Sequence, residues 1–221
     1  GFTPSAFPAG TSISGTWNAP GNYLVSATPL VTTNFCLYPD TKNVIVNDTP
    51  KLGAIIGPIL ICPGATSIYS VTSNLEGMFD WSASLGMSSY AVMGSQADSV
   101  SITWNAGGPY KVVVSQISSE GCSSSPKTIS VTPYAAPTIT GSNTACLDTT
   151  LTYTATGTAP PGGFVWTLSN ALGTISTGQG TNTIDVLWHG SSNPLNNTST
   201  LTVTTCGGTA SMLVTIVLPP A

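Results

Sequence analysis

His189 is the one histidine in 221 residues, and Asp185 stands four positions before it. On an extended strand two such side chains share a face, so with a neighbouring hydroxyl they hold the elements of a nucleophilic triad. The surroundings argue against that chemistry. No G-x-S-x-G turn is present to lift a serine out of a strand. The positions 84 residues earlier are Asn105 and Ser101, and His189-Gly190 opens a polar loop. No residue is therefore assigned a catalytic role, and the chain reads as a non-enzyme. The carboxylates are equally unpromising: 8 acidic residues are scattered with no D-x-D-x-D-G loop, whereas calcium needs six to eight oxygens drawn together. The calcium reading that is left is a site at a junction between units, using Asp48 or carbonyl oxygens. A glycosidase pair needs one carboxyl whose pKa is raised against the other's, and nothing in the sequence does that. No cofactor and no resident metal are expected.

Four lysines are the whole basic complement, against the 8 acids, for a net charge of −4. Phosphate recognition needs several cationic contacts on one face, so nucleic acid is excluded as a partner. A polybasic membrane-surface role fails for the same reason. Only 5% of residues are charged while 41% are apolar, and the apolar residues come in short alternating runs. No stretch is long enough to cross a bilayer as a helix, so the chain is expected to be folded and not membrane-embedded, with hydroxyls in place of surface charge. Residues 1–30 lack the basic and apolar regions of a secretion signal, so any leader is expected upstream or already removed.

The five cysteines carry the clearest pattern. Cys62 and Cys146 lie 84 residues apart, as do Cys122 and Cys206, Tyr69 and Tyr153, and Trp104 and Trp188; Trp81 and Trp166 differ by 85. Such a period marks a repeated unit with Cys, Tyr, Trp, Trp and Cys in order. The first 50 residues match only its second half: Trp17 corresponds to Trp104, and Cys36 to Cys122. Three segments follow: 1–50, the back half of a unit; 51–133, a whole unit; and 134–221, another. Cys36 is expected to be unpaired within this chain, its partner belonging to the missing front half. Asn47-Asp-Thr-Pro50 and Thr132-Pro-Tyr-Ala-Ala-Pro137 are short proline-containing linkers, stiffer than a Gly/Ser tether.

Within each unit the apolar period is two, as in Val100-Ser-Ile102-Thr-Trp104 and Ile184-Asp-Val186-Leu-Trp188. Period two means half-buried strands, and six or seven of them in about 85 residues suit two packed antiparallel sheets. The expected fold is all-β: tandem antiparallel β-sandwiches, the first truncated. Trp17, Tyr69, Trp81, Trp104, Tyr153, Trp166 and Trp188 fall in phase with the apolar positions and are read as core aromatics, each burying about 150–250 Å². That phase speaks against a sugar-stacking platform. Tyr38 and Tyr134, in polar or linker settings, are the better candidates for exposed contacts.

Cys62, Cys122, Cys146 and Cys206 are read as disulfide cysteines. Their equal 60-residue separations within units point to one bond per unit, and a loop of that size contributes about 4 kcal/mol in the chain-entropy account. Zinc is the alternative, but cysteines without a neighbouring C-x-x-C or histidine suit it poorly. Disulfides persist in oxidising compartments, which places the chain outside the cytoplasm.

The unit Ile61-Cys-Pro-Gly64, Tyr69, Phe79-Asp-Trp81, Val100-Ser-Ile102-Thr-Trp104, Gly108-Pro-Tyr110-Lys-Val112, Gly121-Cys122 resembles the PKD-like, immunoglobulin-like repeats of long secreted surface proteins of the Bacteroidota, the gliding-motility adhesins among them. The W-x-F-G-D-G turn usual in PKD domains is absent after Trp81 and Trp166. The resemblance implies an extracellular array exported by type IX secretion, acting as stalk, filament or adhesive surface, with neighbouring repeats as partners and surface glycans or other proteins as further ones. It also implies O-glycan acceptors at Ser99 and Thr149, since Asp98-Ser-Val100 and Asp148-Thr-Thr150 match the acceptor pattern of that group. Two rival roles stand beside the stalk: a sugar- or protein-binding accessory module of a secreted hydrolase, and a filament subunit whose half sandwich accepts a strand from a neighbour.

Overall fold

Chains whose apolar residues alternate with hydroxyls close a core by laying one sheet over another. The computed structural model describes residues 2–4, 12–28, 38–84, 87–105, 107–190 and 197–217, and every regular element among them is a β-strand. At the N-terminal end, β1 (Phe2–Pro4) pairs with β2 (Gly15–Trp17), and β3 (Gly21–Ala27) pairs with β4 (Asp40–Val46). The next set comprises β5 (Leu60–Ile61), β6 (Thr66–Ser70), β7 (Gly77–Ala83), β8 (Met87–Met93), β9 (Ser99–Trp104), β10 (Tyr110–Ser118) and β11 (Lys127–Pro133). These make one sheet in the order β5-β11-β10-β7 and another in the order β6-β9-β8. The last set is β12 (Thr138–Thr140), β13 (Thr144–Cys146), β14 (Thr149–Thr156), β15 (Val165–Leu168), β16 (Gly173–Thr177), β17 (Thr183–Trp188), β18 (Thr198–Thr205) and β19 (Gly208–Val217). Its sheets run β12-β14-β17-β16 and β13-β19-β18-β15.

The fold is all-β, and each of the two later sets is an immunoglobulin-like sandwich. Strands β9 and β17 bury every second residue, as the period-two pattern predicts. Tyr69, Val100, Ile102, Trp104, Val112 and Val131 belong to one buried cluster, and Tyr153, Ile184, Val186, Trp188, Leu201 and Val203 to another, with no residue in common. Equivalent rings meet in equivalent ways: Tyr69 stands edge-on to Trp104 and Tyr153 edge-on to Trp188, each at 6.1 Å. The other tryptophan of each set anchors a loop. Trp81 Nε1 donates to Ala97 O at 2.6 Å, and Trp166 Nε1 to Thr181 O at 2.9 Å.

A glycine lies flat against each core tyrosine. A Cβ on Gly57 would come within 2.7 Å of Tyr69 Cε1, and one on Gly141 within 3.0 Å of Tyr153 Cε1, so the backbone passes each ring there only because no side chain intervenes. Outward faces are held by hydroxyls across strands. Thr103 Oγ1 on β9 bonds Thr66 Oγ1 at 2.7 Å on one side and Ser89 Oγ at 2.8 Å on the other. Thr202 meets Ser211 at 2.9 Å and Thr204 meets Thr209 at 3.2 Å between β18 and β19.

Trp17 departs from the expectation. It is half-buried rather than enclosed, with the tilted rings of Phe2 at 4.9 Å and Tyr23 at 4.6 Å beside it. The physical reason is that β1–β2 and β3–β4 are only two-stranded sheets among the described residues, too narrow to close around the ring, which borders the open groove lined by Ile13, Tyr23 and Leu24.

Candidate functional site

Two sandwiches meet where β11 ends and the linker to β12 begins. There β5 lies parallel to the end of β11, pairing Ile61 with Pro133, and Ile61 O accepts the Tyr134 N–H at 2.9 Å. Cys62 follows immediately. From the other side comes the hairpin between β18 and β19, which turns through Cys206 and Gly207 between the paired Thr205 and Gly208. The turn rests on the linker backbone: a Cβ on Gly207 would meet Ala135 O and lie 2.6 Å from Tyr134 O. Glycine is therefore what lets the hairpin come close enough to bond. Cys62 and Cys206 form a disulfide with Cα atoms 5.3 Å apart and a separation of 144 positions in sequence.

This corrects the pairing expected from the equal spacings. Cys122 is a half-buried free thiol and Cys146 an exposed one, and Cys36 lies outside the described residues. The reason is geometric. In the later sandwich, β19 starts beside Cys206 and ends at Val217, paired with Cys146. Ten residues of strand at about 3.3 Å each separate the two cysteines by about 30 Å, while a disulfide needs Cα atoms within about 7 Å. In the earlier sandwich, Cys122 precedes β11 and Cys62 lies at its far end, for the same result. Equal spacing reported equal position in the fold, not contact. Each sandwich thus has one cysteine at its outgoing pole and one at its incoming pole.

The remaining candidates are not brought together. Asp185 accepts hydrogen bonds from Thr152 Oγ1 at 2.7 Å and Thr177 Oγ1 at 2.8 Å, and these hold its carboxyl below the usual range. His189 Nε2 instead pairs with Thr174 Oγ1 at 3.0 Å. Asp48 caps Thr49 N at 2.9 Å and lies 3.7 Å from Lys51 Nζ, and no group of metal-ligating side chains occurs among the described residues. Tyr38 is 83% exposed, while Tyr134 is half-buried in the junction. Tyr69, Trp81, Trp104, Tyr153, Trp166 and Trp188 are all buried. Ser99 and Thr149 each begin a strand and are partly exposed. The Ser99 hydroxyl donates to Met93 O at 3.4 Å and the Thr149 hydroxyl to Cys146 O at 2.6 Å.

Sequence reasoning missed one built polar site. Gln116 is wholly buried, its amide donating to Leu75 O at 2.9 Å and its carbonyl accepting from Ser73. Its in-phase position on β10 is the signal that could have found it. A groove of about 610 Å³, lined by Phe2, Ile13, Trp17, Tyr23 and Leu24 among others, opens on the N-terminal sheets.

Immunoglobulin-like sandwiches repeated in tandem and covalently joined at their junction define a structural or adhesive class of module. Within that class, residues 132–216 match the PKD-like domain, so the chain carries a repeat of the PKD-like, immunoglobulin-like kind. No curated protein matches in sequence. Among solved structures, the I-band fragment I67–I69 from titin is 10% identical, with 94% of this chain and 90% of that one covered and a TM-score of 0.40. The Yersinia pseudotuberculosis adhesin InvE is 16% identical over 76% of this chain and 58% of that one, with a TM-score of 0.30. The Bacteroides ovatus mixed-linkage glucan utilization locus protein SGBP-B, in complex with a mixed-linkage heptasaccharide, is 15% identical over 96% and 58%, with a TM-score of 0.27. No helix among the described residues is long and apolar enough to cross a membrane.

Proposed function

We propose that this chain is a non-enzymatic segment of an extracellular bacterial surface protein, a stalk of PKD-like modules that carries an adhesive part away from the cell and bears its load. Its units are 1–50, the back half of a sandwich, and 51–133 and 134–221, each a whole one. The observation that carries the reading is the Cys62–Cys206 bond between two separately cored sandwiches. Across a junction such a bond is a second covalent path: tension entering at Cys62 crosses to Cys206, and residues 63–205 between them carry little of it. An oxidising, extracellular setting is what such a bond requires. O-glycans on Ser99 and Thr149 would add hydration to a surface with few charges, and intact mass of the native protein equal to the bare polypeptide would reject them.

Single-molecule pulling from the termini tests the load path. The oxidised chain should give no module-sized extension, and the reduced chain should give two steps of about 250–300 Å, from roughly 80 released residues each. Two such steps before reduction would overturn the reading. One observation favours a second role, that of a strand-accepting filament subunit: the aromatic-lined groove between the N-terminal sheets is the open inner face of a sandwich. A purified chain that sediments as a monomer at all concentrations would reject it.

A further inference from the structure

We propose that Cys146 and Cys122 are the two open ends of a repeating disulfide register, in which each module's first-strand cysteine, the one closing the short strand paired parallel to its last strand (β5 or β13), bonds the hairpin cysteine of the module that follows it. The inference rests on the tandem-module reading above and extends it to covalent connectivity. It stands on the equivalence of four positions. Cys62 and Cys146 both leave a short strand that runs parallel to the last strand of its own sandwich, beside Pro133 in one case and Val217 in the other. The main-chain bonds around them repeat as well, Thr132 N to Ile59 O at 2.8 Å in the first and Thr215 N to Asn143 O at 2.9 Å in the second. Cys122 and Cys206 both sit in the hairpin joining the last two strands.

Both hairpins face the linker that precedes their module. Gly207 abuts Tyr134 and Ala135, and Ser118, Ser119 and Glu120 share a cleft of about 170 Å³ with Asn47 and Asp48. One member of each equivalent pair is already bonded to the other kind, across a junction. The thiol that corresponds to bonded Cys62 is exposed Cys146, at the outgoing pole of its sandwich. Its partner is therefore the hairpin cysteine of a further PKD-like module, next in the same chain. Cys122 calls for the first-strand cysteine of the module before it. Its hairpin departs from the other in one respect: Cys122 pairs with Ser118 across a tip of Ser119, Glu120 and Gly121, whereas Cys206 is itself in the turn. Closing each bond removes two S–H hydrogens and joins Sγ to Sγ; the two electrons and two protons pass to a disulfide oxidant, which leaves as two thiols.

The test extends the full chain by a second copy of residues 134–217 placed after Val217, folded in a buffer of reduced and oxidised glutathione. Non-reducing peptide mapping should recover Cys62 with Cys206 and Cys146 with the hairpin cysteine of the appended copy, leaving Cys36, Cys122 and the appended first-strand cysteine open to alkylation. Cys146→Ser in the extended chain should raise alkylation of the appended hairpin cysteine more than tenfold and alter no other site. A bond within the appended module, a disulfide-linked dimer, or alkylation of the appended hairpin cysteine without the substitution would each overturn the register. In the unextended chain, Cys146 should react with iodoacetamide within about threefold of an exposed model thiol. Protection of Cys146 there would overturn the proposal however the extension folds. Mapping reads connectivity alone, so it can fail while module-sized steps in the reduced chain still support a stalk.

Discussion

Tyr69 and Tyr153 occupy the same place in successive sandwiches, yet their hydroxyls have different fates. Tyr69 donates to Pro58 O at 3.0 Å, whereas the buried Tyr153 hydroxyl reaches no carbonyl and has only Trp188 Nε1 turned toward it. Burial raises the pKa of both phenols. Tyr69→Phe should therefore cost about 1 kcal/mol, and Tyr153→Phe should be close to neutral, because it removes a hydroxyl that donates to no carbonyl; urea midpoints of the two variants distinguish them. Trp188→Ala should cost about 3–5 kcal/mol by opening a cavity where the largest ring was enclosed. Asp185 sets a pH signature. Its folded pKa is depressed by Thr152 and Thr177, so its contribution is present above the ordinary carboxylate value and is lost as pH falls through the folded one, below about pH 4. Thr152→Val should move that titration upward, as followed by carboxyl chemical shift. Which rings are buried was legible from their phase on the strands. Which hydroxyl finds a partner was not, because the acceptor is a carbonyl on a loop that periodicity does not locate.

Strands and turns decide which cysteines can meet. The alternation along β9 and β17 announced two sheets and their inward faces, and the 84-residue spacing announced that the sets are alike. Neither said at which end of β11 or β19 a cysteine falls, and pairing depends on that end. Trp17 shows the same limit: its phase is that of a core residue, but enclosure also needs sheets wide enough to close around the ring, and among the described residues β1–β4 form only two-stranded ones. The approach of the β18–β19 turn to the linker depends on Gly207, where any Cβ would meet the carbonyls of Tyr134 and Ala135. Gly207→Val should lift the turn off the linker. The expected result is slower closure of Cys62–Cys206 during oxidative folding, read by quenched alkylation, with each sandwich still folded by near-ultraviolet dichroism. Unchanged closure would mean that the hairpin does not need its close seat.

For the whole molecule the junction sets the relation between modules. Cys62→Ser should leave both cores intact but widen the distribution of inter-module distances, seen as a larger radius of gyration in small-angle scattering; an identical profile would show that the linker alone fixes the arrangement. A different consequence follows from the rows of hydroxyl pairs on the outward faces. Lys51 with Asp48 is the one ion pair among the described residues, and it is exposed, while Thr66, Thr103 and Ser89 and their counterparts on β18 and β19 hold neighbouring strands with neutral groups. Screening shortens the Debye length from about 30 Å at 0.01 M salt to about 3 Å at 1 M, yet here it finds almost no charges to separate. The melting temperature should stay within a few degrees across that range of sodium chloride, so the molecule would keep its shape in fresh water and in brine alike.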